Sequence, residues 1–112
     1  MKEIKAYLHS NRIAAVIAAL KSSPAWGDDA TGREHNLTLY VVKGSLTPLH
    51  EAERRFSLEL GDEVVNEYKL ELHCEDEQVD GFVTTISGAG RTGQPGAGWI
   101  YVTNVERTEP IV

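Results

Sequence analysis

Cysteine is nearly missing from this 112-residue chain: Cys74 stands alone, so there is no intrachain disulfide and no Cys-x-x-Cys redox or metal site. Positive charge is also short. Eleven Lys and Arg face 17 Asp and Glu, a formal net charge of −6 that argues against nucleic acid or an anionic membrane surface as the main partner. An anionic ligand would therefore have to be held locally. No apolar run approaches the roughly 20 residues of a membrane span, and Met1-Lys2-Glu3-Ile4-Lys5 lacks the apolar core of a signal peptide. The expectation is a cytoplasmic protein with no direct membrane insertion. Repeats, low-complexity tracts and linkers are lacking too, and the length suits one domain over residues 1–112.

What is present is periodicity. Residues 2–9 alternate, with Ile4, Ala6 and Leu8 on one face and Lys5, Tyr7 and His9 on the other, the pattern of a half-buried strand. Ser10 and Asn11 are good caps for a helix whose Ile13, Val16, Ile17 and Leu20 recur at i, i+3, i+4, i+7. Pro24 ends it, and residues 25–35 read as a polar loop. Residues 37–43 alternate again, and Gly44-Ser45 breaks that strand. The charged stretch 47–62 reads as a polar excursion. A long third strand over 64–74 puts Tyr68, Leu70, Leu72 and Cys74 opposite Glu67, Lys69, Glu71 and His73. Asp76 is the expected cap of a second helix striped by Val79, Phe82, Val83 and Ile86, ending near Ser87; Gly81 within it suggests close packing. A fourth strand runs from Trp99 to about Glu106. The order βαββαβ predicts an α+β fold of the ferredoxin-like kind, a four-stranded antiparallel sheet with both helices on one face.

Between the second helix and the last strand lies Arg91-Thr92-Gly93-Gln94-Pro95-Gly96-Ala97-Gly98. Three glycines and a proline exclude regular structure, and glycines at such a junction let backbone amides approach an anion; a tight helix-to-strand connector explains the composition as well.

Several functions of this fold lack their residues. RNA recognition needs basic and aromatic stacking groups where the third strand has Glu67, Lys69 and Glu71, and a metallochaperone needs a cysteine pair where His9-Ser10-Asn11 stands. An acyl-phosphate hydrolase needs an arginine inside a phosphate-cradling loop, but Arg12 opens the first helix. His9, His35, His50 and His73 show no ligand spacing and read as surface or sheet positions, and Ser45, Ser57 and Ser87 have no identifiable base. No enzymatic activity is expected.

Thr92-Gly93, the Gly96-Ala97-Gly98 triplet and the following Ile100-Tyr101-Val102 stand at a spacing that resembles the last loop and strand of PII signalling proteins. Met1-Lys2-Glu3-Ile4, Val42-Lys43-Gly44 and Tyr68-Lys69-Leu70-Glu71-Leu72 extend the resemblance along the chain. It implies a homotrimer that binds an effector, such as an adenine nucleotide, in clefts between subunits. By this resemblance residues 45–62 are the T-loop and 91–98 the B-loop. The implied effector site comprises Gly44, Ser45, Lys69, Glu71, Arg91, Thr92, Gly93, Gly96 and Gly98. A trimer would also cover Tyr7, Tyr40, Val42 and Tyr101 on the helix-free face of the sheet.

The departures are specific. Trp99 stands in place of the family's phosphate-binding lysine, Glu67 in place of another lysine and Gln94 in place of a basic residue; the T-loop has no modifiable tyrosine. This argues against ATP and 2-oxoglutarate sensing of the nitrogen-regulator type and excludes uridylylation there. The pattern is similar to the divergent PII-like group that accompanies transporters, including heavy-metal efflux systems, which implies a membrane transporter or efflux component as the regulated partner. The alternative is a metal-responsive trimer like the CutA divalent-cation-tolerance family, whose metal-site residues are not found here.

Overall fold

A computed structural model describes residues 1–28, 30–49 and 51–112. Strand β1 (Lys2–Leu8) leads into helix α1 (Ile13–Ser22), β2 (Thr38–Gly44), β3 (Arg54–Ser57), β4 (Asp62–Cys74), α2 (Val79–Ala89) and β5 (Trp99–Asn104). All the pairings are antiparallel, and the sheet order is β2-β4-β1-β5, with β3 beside β4. The two βαβ units are thus interleaved, each with a strand of the other between its own, as a ferredoxin-like fold requires.

Alternation along β1 and β4 sets the core. Register places Ile4 opposite Leu72 and Val102, and Ala6 opposite Leu70 and Ile100. Ile4, Ala6, Leu70 and Leu72 pack under Val16 and Leu20 of α1 and Phe82 and Ile86 of α2, all buried, with Ile100 partly buried at the edge and Val102 left exposed. Full burial of side chains of this size stabilises by about 1.5–3 kcal/mol each. The opposite face of the sheet carries no helix, and there Tyr40, Trp99 and Tyr101 stay roughly half exposed.

Five strands are present among the described residues, one more than the alternation predicted. The extra strand lies inside the expected polar excursion: Arg54 to Ser57 pair with Val65 to Asp62 across a turn in which Gly61 has φ +66°. Within Arg54-Arg55-Phe56-Ser57 the single apolar residue gives no alternation to read, and Phe56 stays exposed together with Leu58 and Leu60 of the turn. The connection 23–37 is less polar in place than in sequence. Short 3-10 turns at Pro24–Trp26 and Arg33–His35 send Trp26 and His35 inward against Phe82, with centroid distances of 6.2 and 5.1 Å.

The caps also differ from expectation. Neither Ser10 nor Asn11 caps α1; Arg12 holds that position without a side-chain bond, because the Asn11 amide oxygen turns to His9 Nδ1 at 2.9 Å. Ahead of α2, Glu75 caps a short 3-10 turn, Asp76–Gln78, that runs straight into the helix: its carboxylate accepts from the Gln78 amide while Gln78 Oε1 accepts from the Glu75 amide. Asp76 instead pairs with the N-terminal ammonium at 3.0 Å, which holds its carboxyl below the ordinary value. α2 runs to Ala89, beyond Ser87, and Gly81 faces open space rather than a close neighbour.

Candidate functional site

The connections after β2 and α2 meet at one end of the sheet. The amide of Thr47 donates to the Gly96 carbonyl at 2.9 Å. Gly96 has φ +78°, and a Cβ there would lie 2.8 Å from Thr47 Oγ1, so this close contact needs glycine. The loop 91–98 is also held from inside: Arg12 Nε donates to the Arg91 carbonyl at 2.7 Å, and the Gln94 amide donates to Thr92 Oγ1 at 3.1 Å.

Two cavities flank this junction, and Trp99 lines both. The first, about 530 Å³, has an apolar floor of Leu8, Val83 and Ile86 and a rim that includes Arg91 and Thr92. The second, about 420 Å³, lies against the helix-free face between Gly44, Ser45, Tyr7, Glu67 and Lys69. Of the residues proposed from the sequence, Arg91, Thr92, Gly93 and Gly98 line the first cavity, and Gly44, Ser45 and Lys69 line the second. Gly96 lines neither, but makes the bridge between the two loops. Glu71 also lies outside both linings.

Glu71 acts on its neighbours instead. Its Oε1 accepts from Tyr40 Oη at 2.7 Å and lies 3.1 Å from Lys69 Nζ. The Tyr40 hydroxyl first, and then Lys69, hold the Glu71 carboxyl below the ordinary value. The ammonium of Lys69 also sits 5.1 Å from the Tyr40 ring centre and 5.5 Å from that of Tyr7. Tyr40 and then Glu71 push its pKa up, and the ammonium is already engaged by an anion and two rings.

The alternation along β4 puts Glu67 on the helix-free face, and nothing in it indicates burial. Glu67 is only 4% exposed. Its side chain lies over Gly44, where a Cβ would come within 2.3 Å of Oε1, and the Leu46 amide donates to Oε2 at 3.4 Å. Desolvation raises the Glu67 carboxyl above its ordinary value against the lowering effect of that amide. The glycine at position 44 was the one sequence signal, read as a strand break rather than as room for a carboxylate.

The histidines divide. His9 is buried, with Nε2 against the Glu53 carboxylate, and ties the segment between β2 and β3 to the end of β1. His35 Nδ1 meets the His73 carbonyl at 2.9 Å, and its Nε2 is buried without a hydrogen-bond partner among the described residues. His73 Nε2 meets the Glu34 carbonyl at 3.0 Å, while Cys74 is buried on the opposite face. His50 lies outside the described residues. Among those described, no three His, Cys, Asp or Glu side chains cluster as metal ligands.

An interleaved βαβ sheet in which the connection after β2 and the glycine-rich loop 91–98 meet beside two cavities defines a ferredoxin-like α+β protein with a loop-built cleft. No family model matches the chain. It is similar, however, to proteins named nitrogen regulatory protein P-II: 30% identity over 107 residues to that of Microchaete diplosiphon, 29% to that of Nostoc punctiforme and 27% to that of Pyropia yezoensis. Each alignment covers 96% of this chain and 88% of the relative. The chain belongs to the PII family, as a divergent member.

Proposed function

We propose that the chain, as a single PII-like domain, forms a homotrimeric, non-enzymatic regulator that binds a small adenine nucleotide in a cleft built by the T-loop base and the loop 91–98. AMP, ADP and a cyclic nucleotide are the candidate effectors. The observation that carries this reading is the Thr47–Gly96 hydrogen bond, which joins the two segments at the cavities. A ligand on the loop 91–98 would bear on the root of the T-loop through it, and so change the fit of the hairpin to a partner. The half-exposed aromatics of the helix-free face support association around that face. By its resemblance to transporter-associated PII-like proteins, the partner is a membrane transporter or efflux component met from the cytoplasm. Among the described residues, no helix of the chain itself is long and apolar enough to cross a membrane.

Isothermal titration with AMP, ADP, cyclic AMP and ATP tests the reading. At least one should bind, and Gly96→Val, which drives side-chain atoms into Thr47, and Arg91→Ala should each weaken binding by about tenfold or more, some 1.4 kcal/mol. Unchanged affinity in both variants would overturn the assignment of the site.

A further inference from the structure

We infer that the carboxyl group of Glu67, buried under the T-loop base, restricts the cleft to adenine ligands with no more than one phosphate and turns away di- and triphosphates. This rests on the adenine-nucleotide reading above.

The argument is a count of charges. Among the described residues, the cations lining the two cavities are Arg91, Lys43 and Lys69, and the one carboxylate is Glu67. Lys69 is engaged by Glu71 at 3.1 Å and by the faces of Tyr7 and Tyr40. In the second cavity Glu67 sets a negative charge against that of Lys43, which leaves Arg91 at the first. What is left matches one phosphate, because each further phosphate brought out of water needs its own cation or a set of amide donors. The surroundings of Glu67 offer a further phosphate little: the Leu46 amide is taken by the carboxylate itself, Lys69 by Glu71, Gly44 lies against the acid, and the remaining wall includes Tyr7, Trp99 and Tyr101. A phosphate group there would face an acid already short of water, and could stay only if that acid were protonated. The aromatic wall suits the uncharged part of the ligand. Trp99 presents more than half of its surface, and base stacking on an aromatic ring needs no charge.

The test compares adenosine, AMP and ATP, without added magnesium, on the full chain and on Glu67→Gln, which keeps the shape and an oxygen for the Leu46 amide. The unaltered protein should bind AMP about tenfold or more tightly than ATP. Glu67→Gln should cut that preference about tenfold by tightening ATP, with adenosine affinity held within about twofold. A preference near one in the unaltered protein, or the same preference in the variant, overturns the inference while leaving adenine recognition in place. Binding of none of the three to either protein removes the adenine reading and this inference with it. Circular dichroism checks the variant's fold; if that is lost, the AMP-to-ATP preference of the unaltered protein decides.

Discussion

Glu67 carries the sharpest residue-level consequence of the fold. The folded protein holds its carboxyl proton more tightly than the unfolded chain does, because burial raises the carboxyl's pKa. Above that raised value the buried charge lowers stability, and the penalty is relieved as pH falls through it toward the ordinary carboxyl value of 4.5. Glu67→Gln should therefore melt higher than the unaltered protein at pH 7, with the gap closing as pH is lowered toward 4.5, followed by thermal denaturation across that range. A lower melting temperature with a pH-independent gap would contradict it. Little of this was legible in sequence. Period two assigns Glu67 to a face, but what covers that face is set by Gly44 and Leu46, some 20 positions away. His35 and Trp26 were hidden for the same reason, since their inward turns depend on Phe82 of a distant helix.

At the scale of elements, the periodic segments could be read and the local devices at their ends could not. β1, α1, β4 and α2 lie where apolar spacing put them, because their buried stripes are long and regular. β3 was missed, since four residues with two arginines carry no stripe and pair only through a partner strand. Caps were misplaced by one or two positions, since Asn11 and Asp76 have other partners, His9 and the N-terminal ammonium. The reciprocal Glu75–Gln78 bonds predict a measurable loss. Glu75→Ala should destabilise the protein by about 0.5–2 kcal/mol in urea unfolding, as the removal of an N-cap does elsewhere. Asp76→Ala, which leaves those bonds in place, should have the smaller effect.

For the whole molecule, the one-sided sheet is the governing fact. Helices cover Ile4, Ala6, Leu70 and Leu72, while Tyr40, Trp99 and Tyr101 stay open on the other face beside the cavity that holds Glu67 and Lys69. Assembly and ligand binding would therefore draw on the same surface. The loop residues Arg91, Thr92, Gly93 and Gly98 were legible as a shaped loop because of their glycine spacing, and they line the first cavity. Their link to the connection after β2 through Thr47 was not, since a backbone hydrogen bond leaves no trace in side-chain pattern. Native mass spectrometry of the protein with added AMP tests the central claim most directly. The account predicts a species of three times 12.3 kDa carrying up to three AMP, with the bound AMP lost in Gly96→Val. A monomer, or a trimer that takes up no adenine nucleotide, would contradict it.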